Sequence, residues 1–166
     1  EVINHAKQTD FPSISIDLMY GLPNQTMDQW KASLQEAFRL KIPHISAYSL
    51  LVEPKTIFYN LLSKGKLSLP GEDLEAEMYG YLLEEMKSHG YIQYEISNFA
   101  YVGKESKHNL LYWNNDEYIG LGAGAHGYVN GKRYSNHGPI KKYMQTIDTG
   151  EQPLMMQKEV TNVEKM

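Results

Sequence analysis

The sequence contains no cysteine, and this absence excludes disulfide bonds, thiolate metal ligands and a cysteine nucleophile from the chain. A chain without cysteine also fits a cytoplasmic location. No apolar run approaches the roughly 20 residues that a helix needs to span a bilayer, so we expect no transmembrane segment. The 20 acidic side chains outnumber the 16 basic ones and give a net charge of -4, which disfavours broad binding to nucleic acid.

The remaining composition is that of an ordinary globular chain, with 42% hydrophobic and 22% charged residues in 166 positions. This length predicts one domain or a piece of one. The opening segment, 1–10, resembles the end of a helix that runs into a strand, and the last segment, 159–166, resembles the start of a helix. We therefore expect this chain to be part of a longer protein. Strand edges that the rest of the protein would cover are then exposed in this chain, and they favour self-association.

The first half of the chain predicts a strand–helix–strand unit. Residues 13–18 (SISIDL) and 44–51 (HISAYSLL) have the composition of strands. Between them, Thr26 and Gln29 have the spacing of a helix capping box, and Pro43 ends the helix. One apolar stripe follows the helical period at Trp30, Leu34, Ala37 and Phe38. This order favours two parallel strands joined by a crossover helix.

Hydrophobic periodicity and turn-forming residues predict further elements. We expect a short helix to Leu62, a longer amphipathic helix over 74–86 that Gly90 closes, and a strand over 91–97 (YIQYEIS) with strict alternation. Asn130-Gly131 predicts a hairpin turn. A short helix is expected over 139–149.

The glycine-rich stretch GLGAGAHG, 120–127, fits the G-x-G-x-x-A pattern of a dinucleotide loop. That mechanism needs a helix after the loop and an acidic residue about 20 positions later. A hairpin pattern follows instead, and the first acidic residue is Asp148. The glycines therefore permit close approach to the backbone, either by a ligand or by a neighbouring strand.

Few side chains have the spacing of a chemical site. Glu53, Glu95 and Asp17 are the carboxylates that could act as acid or base. Asp17 is the most informative, because it lies in an apolar strand near the end where α/β folds bind ligands. A paired arginine or a helix amino terminus could equally account for it.

The spacing of His108, His126 and His137 does not support a metal site made by the three together, and the sequence assigns no catalytic residue. Residues 108–113 (HNLLYW) hold an imidazole, an amide, a phenol and an indole. They are either core aromatics or the wall of a cleft for a flat ligand.

Five blocks in order carry a family resemblance, at residues 15–26, 44–54, 94–100, 106–113 and 118–127. Together they resemble the oxygen-independent coproporphyrinogen III oxidase-like radical S-adenosylmethionine proteins. The H-N-x-x-Y-W block is similar to that of their heme chaperone branch rather than the true oxidases.

The resemblance implies an α/β fold, the carboxy-terminal half of a partial TIM-type (β/α)6 barrel followed by a mixed α+β extension. It places later barrel units at 1–100, an aromatic and glycine-rich closing segment with a hairpin at 101–150, and the start of a truncated carboxy-terminal domain at 151–166. The family's [4Fe-4S] cluster is held by a C-x-x-x-C-x-x-C loop, which this cysteine-free chain lacks. The cluster is therefore expected in the full-length protein and not in this chain.

The resemblance also implies which residues bind the family's cofactor. Asp17 and Leu51 match positions that contact S-adenosylmethionine, the second largely through its backbone. His126 matches a third such position, where the oxidases carry an aliphatic residue.

The resemblance further implies a heme site. His108, Asn109, Tyr112 and Trp113 match the chaperone branch's signature block, which is associated with heme. Imidazole is a good ligand for heme iron, so His108 is the candidate axial ligand.

The function implied is that of a heme chaperone, which binds heme and transfers it to acceptor proteins, membrane respiratory proteins among them. The alternative is oxygen-independent coproporphyrinogen III oxidase, which decarboxylates propionate side chains. We expect this chain alone to be inactive, since it cannot hold the cluster.

Overall fold

The computed structural model describes residues 1–9 and 11–161. They form two compact units that divide between residues 105 and 106, and these are called the amino-terminal and the carboxy-terminal unit below. Within the described residues, no helix combines the length and the apolar character needed to cross a membrane.

The amino-terminal unit alternates helices and strands around a four-stranded sheet. Its elements are α1 (Val2–Lys7), β1 (Ser15–Tyr20), α2 (Met27–Leu40), β2 (His44–Ser49), α3 (Ile57–Ser63), α4 (Glu72–Ser88), β3 (Ile92–Gln93) and β4 (Asn98–Ala100). The strand order is β1-β2-β4-β3. Strands β1 and β2 pair in parallel, whereas β4 pairs antiparallel with both β2 and β3. The parallel strand–helix–strand unit expected from the sequence is thereby confirmed.

Helix α2 begins and ends where local chemistry dictates. The Thr26 hydroxyl accepts a hydrogen bond from the Gln29 backbone N–H, and the Gln29 side chain accepts one from the Thr26 N–H. This capping box satisfies two of the otherwise unpaired amides of the first turn. At the other end Lys41 takes a left-handed conformation, with φ of 48°, and terminates the helix.

One face of the sheet carries the core. All four residues of the predicted stripe of α2 are buried, and Met78, Leu82 and Met86 of α4 are buried with them. The Trp30 indole is fully buried, and its Nε1 donates to the carbonyl of Met78 over 3.0 Å. This bond gives the ring's polar atom a partner and joins α2 to α4.

The strand predicted over residues 91–97 was wrong. Only Ile92–Gln93 forms a strand there, and the chain then turns and resumes pairing at Asn98. Side-chain hydrogen bonds account for the turn, because the Glu95 carboxylate accepts from the backbone N–H of Ser97. Such local side-chain bonds compete with a sheet ladder, whatever the alternation of the sequence.

The carboxy-terminal unit is a three-stranded antiparallel sheet with two helices. Its elements are α5 (Lys107–Trp113), β5 (His126–Val129), β6 (Lys132–Asn136), α6 (Ile140–Asp148) and β7 (Leu154–Glu159), in the strand order β5-β6-β7. The predicted hairpin turn is confirmed, with φ of 51° at Asn130 and 71° at Gly131. Positive φ at both positions is typical of the two-residue turns that match strand twist. The helix predicted to open near residue 159 lies mostly outside the described residues.

Candidate functional site

Opposite the core, the sheet of the amino-terminal unit presents a face of polar side chains. We call it the polar sheet face, and it comprises Ser15, Asp17, His44, Ser46, Tyr48, Tyr94, Glu95 and Asn98. Alternation places the members on β1 and β2 on one side, since Ile16, Leu18, Ile45 and Ala47 point into the core. The sheet register brings Asp17, Ser46 and Asn98 side by side on three neighbouring strands.

His44 joins three elements of this face. Its Nδ1 lies 2.7 Å from the Ser15 hydroxyl, and its Nε2 lies 2.6 Å from the Tyr94 hydroxyl. His44 is buried, with only 4% of its surface exposed. Either neutral tautomer satisfies both hydroxyls, because each hydroxyl can donate or accept. The imidazole therefore fixes the turn that carries Tyr94 against β1 and β2.

The electrostatics of His44 show that the polar sheet face is compact. Burial lowers the pKa of His44 below its usual value, while the nearby carboxylates of Asp17 and Glu95 act in the opposite direction. Both carboxylates therefore lie within electrostatic reach of the imidazole. Since burial is the larger effect, the ring is held in its neutral form at neutral pH.

Asp17 lies exposed on β1, and its carboxylate is 3.5 Å from the Tyr48 hydroxyl. No arginine or helix amino terminus has been found to hold it within the described residues, so its charge is open to solvent and to a ligand. Leu51 follows β2 and is 76% exposed. The backbone N–H of its neighbour Leu50 donates to the carbonyl of Tyr20, which keeps this segment beside the end of β1. Glu53 is exposed farther along the same segment.

In the carboxy-terminal unit, the HNLLYW block forms helix α5, which begins at the Ser106 cap. His108 and Tyr112 are one turn apart, with rings edge to face at 5.0 Å and with the Tyr112 hydroxyl 3.1 Å from His108 Nε2. Tyr118 packs against Tyr112 at 4.6 Å. Tyr112 and Trp113 are nevertheless 45% and 55% exposed. The rings therefore form a surface cluster rather than a core.

The remaining site residues predicted from the sequence are placed as follows. Asn109 is half-buried on α5, and His126 is exposed at the start of β5, opposite Ser135 of β6. His137 is half-buried after β6. Among residues 1–9 and 11–161, histidines and carboxylates form no group of three that could hold a metal ion.

The glycines resolve the choice between a ligand and a neighbouring strand at two positions. A Cβ on Gly120 would lie 1.9 Å from the carbonyl oxygen of His126, and one on Gly127 would lie 2.2 Å from the ring of Tyr134. These two glycines are required by close packing within the unit itself. The stretch leads into the predicted hairpin, since its last two residues, His126 and Gly127, already belong to β5.

A cavity of about 590 Å³ lies between the three-stranded sheet and α6. Its wall is largely apolar, with Leu121, Tyr143, Ile147 and Leu154 among the lining residues and Lys132 as the charged one. This volume is within the usual range for small-molecule sites. The predicted heme residues on α5 are not part of its wall.

The structure adds His44, Tyr94 and Asn98 to the residues singled out in the sequence. The available signal was the alternation of β2, where His44, Ser46 and Tyr48 share one face. That alternation predicts a polar face directly beside Asp17. Tyr94 and Asn98 reach this face because the chain turns between β3 and β4. The alternation of residues 91–97 predicted a continuous strand there and so did not indicate the turn.

Comparison with known proteins identifies relatives over nearly the whole chain. The chain is 51% identical over 161 residues to a heme chaperone HemW of Bacillus subtilis (strain 168). The match covers 97% of this chain and 42% of that protein. It is 46% identical over 147 residues to a heme chaperone HemW of Lactococcus lactis, covering 89% of this chain and 39% of the relative. By sequence, this chain is similar over most of its length to the family of proteins named heme chaperone HemW.

More distant matches agree with this family. The zebrafish radical S-adenosyl methionine domain-containing protein 1, mitochondrial, is 36% identical over 138 residues, covering 83% of this chain and 30% of that protein. A search of family models finds no match. The chain thus spans about two fifths of the length of the HemW relatives first named.

The fold has a counterpart among solved structures. The coproporphyrinogen III oxidase HemN of Escherichia coli, described as a radical SAM enzyme, aligns with a TM-score of 0.78. The alignment covers 96% of this chain and 39% of that one, at 20% sequence identity. This similarity establishes a shared α/β fold over the matched segment.

Proposed function

We propose that this chain is part of a heme chaperone that binds heme and transfers it to acceptor proteins. The observation that carries the proposal is the 51% identity, over 97% of the chain, to a protein named heme chaperone HemW. The proposal includes a cytoplasmic location and acceptors among membrane respiratory proteins. It also includes self-association of this chain through strand edges that the rest of the protein would cover.

The heme site proposed is the exposed ring cluster of α5. His108 offers an imidazole at the surface, and Asn109, Tyr112 and Trp113 lie on the same short helix. Iron ligated at His108 Nε2 would displace the Tyr112 hydroxyl, whereas iron at Nδ1 would leave that hydroxyl free to accept from Nε2–H. Ligating histidines usually donate their second N–H in this way, which favours Nδ1.

The cofactor proposed is S-adenosylmethionine, with Asp17, Leu51 and His126 as the contact residues that the family resemblance implies. The polar sheet face suits such a molecule. The oxygen atoms of Asp17, Ser46 and Asn98 can accept hydrogen bonds from its amino and hydroxyl groups. When bound with a [4Fe-4S] cluster, this cofactor supplies radical chemistry. The full-length protein would carry that cluster and would complete the partial (β/α)6 barrel, with the hairpin region and residues 151–166 leading into a further domain.

An oxygen-independent coproporphyrinogen III oxidase is the competing function. Its support is the fold shared with HemN, but the identity there is 20%, against 51% to the heme chaperone of B. subtilis. A fold hosts many functions, so the closer sequence relationship supports the chaperone more strongly. Decarboxylated porphyrin formed by the full-length, cluster-loaded protein would reverse this choice.

The test is a heme titration of this chain and of its His108→Ala variant, followed through the Soret band. We expect the band to shift on binding to the original chain and the shift to be lost in the variant, because the imidazole that ligates iron is gone. His5→Ala is a matched control, since His5 is also exposed on a short helix but lies in the amino-terminal unit.

The outcomes separate the parts of the proposal. A shift retained in His108→Ala would place the iron ligand elsewhere while preserving heme binding. A shift lost equally in His5→Ala would indicate unspecific coordination by surface histidines. Absence of a shift in the original chain would contradict a heme site in this part of the protein.

A further inference from the structure

Asn98 holds a buried hydrogen-bond acceptor that the described chain does not use. Its Oδ1 is shielded from solvent and has no hydrogen-bond partner among the described residues. An unsatisfied buried acceptor costs about 1–3 kcal/mol. Such a group in a native structure calls for an explanation, and a bound donor is one.

The direction of the Asn98 amide is fixed by its neighbour. The amide nitrogen donates to Glu95 Oε1, which also accepts from the backbone N–H of Ser97 at 2.8 Å. An ionised carboxylate can only accept, so turning the amide over would bring two oxygens together. The amide oxygen of Asn98 must therefore point away from Glu95.

Position on the sheet relates this oxygen to Asp17. Asn98 pairs with Ser46, and Ser46 pairs with Asp17, so the three residues form one row across β4, β2 and β1. Neighbouring strands lie roughly 4.8 Å apart, which separates the two ends of the row by about 10 Å. A molecule the size of a nucleoside can reach both ends.

The two ends suit different donors. Asp17 is charged and exposed, so it favours an ammonium group or a pair of hydroxyls. The Asn98 oxygen is neutral and buried, so it favours a single N–H or O–H that brings no charge with it. Glu95 Oε1 accepts from both the Ser97 N–H and the Asn98 amide, so at this end the carboxylate orients the amide.

We propose that Asn98 is a ligand-binding residue whose Oδ1 accepts a hydrogen bond from a small molecule that also contacts Asp17 on the polar sheet face. The inference rests on the proposed S-adenosylmethionine site and extends it to the far strand of the sheet. His44 acts as a positioning residue, because its bond to Tyr94 holds the turn that orients Glu95 and hence the Asn98 amide.

The experiment is an NMR titration of this chain, labelled with ¹⁵N, against S-adenosylmethionine, adenosine and methionine in separate arms. S-adenosylmethionine should shift the side-chain amide signal of Asn98. Asn98→Leu should weaken its binding by about three- to tenfold, the equivalent of one neutral hydrogen bond. The loss should be seen with adenosine or with methionine but not with both, because one donor is involved.

A stability measurement and one further variant separate binding from folding. Urea unfolding of Asn98→Leu should still show a cooperative transition, and the titration is then run on the folded variant, because the replacement also removes the amide's hydrogen bond to Glu95. Asn60→Leu makes the same replacement at an exposed position of α3 and should leave affinity unchanged.

Contrary results are equally specific. Equal weakening with all three ligands would mean that Asn98 is structural and would overturn the inference. A shift near Asp17 without one at Asn98 would overturn the inference and leave the proposed cofactor site intact. No shift anywhere would overturn both.

Discussion

The two units of the molecule differ in the burial of their tryptophans. Trp30 of the amino-terminal unit is fully buried and hydrogen-bonded, whereas Trp113 of the carboxy-terminal unit is 55% exposed at the end of α5. The first ring stabilises a fold, and the second contributes little to any core. An indole left in water is a better candidate for binding than one that holds two helices together.

The same contrast holds for the helices that carry these rings. Helix α2 has 14 residues and buries a continuous stripe, whereas α5 has seven residues and buries none completely. Short helices are marginal without tertiary packing. The α5 block is therefore held by its Ser106 cap and by the contact of Tyr112 with Tyr118, and its rings stay available to a ligand.

Replacing each tryptophan by alanine should give the largest difference between the units. Trp30→Ala removes a buried indole and should lower the free energy of unfolding by about 3–5 kcal/mol. Trp113→Ala should change it by less than about 0.5 kcal/mol but weaken heme binding. Urea unfolding and the Soret titration measure the two effects. Similar losses of stability in both variants would remove the distinction between a structural and a binding ring.

A glycine pair tests whether the carboxy-terminal unit is tightly packed anywhere. A Cβ at Gly120 would meet the His126 backbone, so Gly120→Ala should destabilise the unit by about 1–3 kcal/mol through overpacking. Gly138→Ala is the matched control, because nothing lies within 4 Å of its Cβ position. Equal melting temperatures for the two variants would show that the glycine-rich stretch is loosely packed and open to a ligand at Gly120.

Much of the fold was predictable because local signals and tertiary packing agreed. The capping box of Thr26, the stripe through Trp30 and the Asn130-Gly131 turn each act over a few residues, and each is where the sequence placed it. The strand over 91–97 failed because Glu95 and Tyr94 form side-chain bonds that its alternation does not encode. Helix α5 was missed although Ser106 gave a capping signal.

The site was less predictable, for a physical reason. Asp17 could be found from its place in a strand, since a charge there needs a partner or a role. Asn98 could not, because its significance depends on pairing with Ser46 across the sheet and on the direction set by Glu95. Contacts between residues distant in sequence arise from topology, which the periodicity of one strand does not determine.

Two histidines extend the comparison to pH. His44 is buried in the polar sheet face, and His108 is exposed on α5. Burial lowers the pKa of His44 in the folded chain below its ordinary value of 6.5, although Asp17 and Glu95 partly offset this. Between the two values the unfolded chain binds the extra proton, so stability rises with pH through this window and is lost as pH falls.

The smallest effect we predict is on the slope of the unfolding free energy against pH. The stability of the amino-terminal unit should increase from pH 5 to pH 7, and His44→Gln should make that increase shallower because the titrating group is gone. The control is His108→Gln, the same replacement in the carboxy-terminal unit, which this measurement on the amino-terminal unit does not follow. Urea unfolding at several pH values, followed by the NMR signals of Ile45 and Phe99, measures the slope within the core of that unit. An unchanged slope in His44→Gln would mean that Asp17 and Glu95 cancel the effect of burial on the pKa of His44.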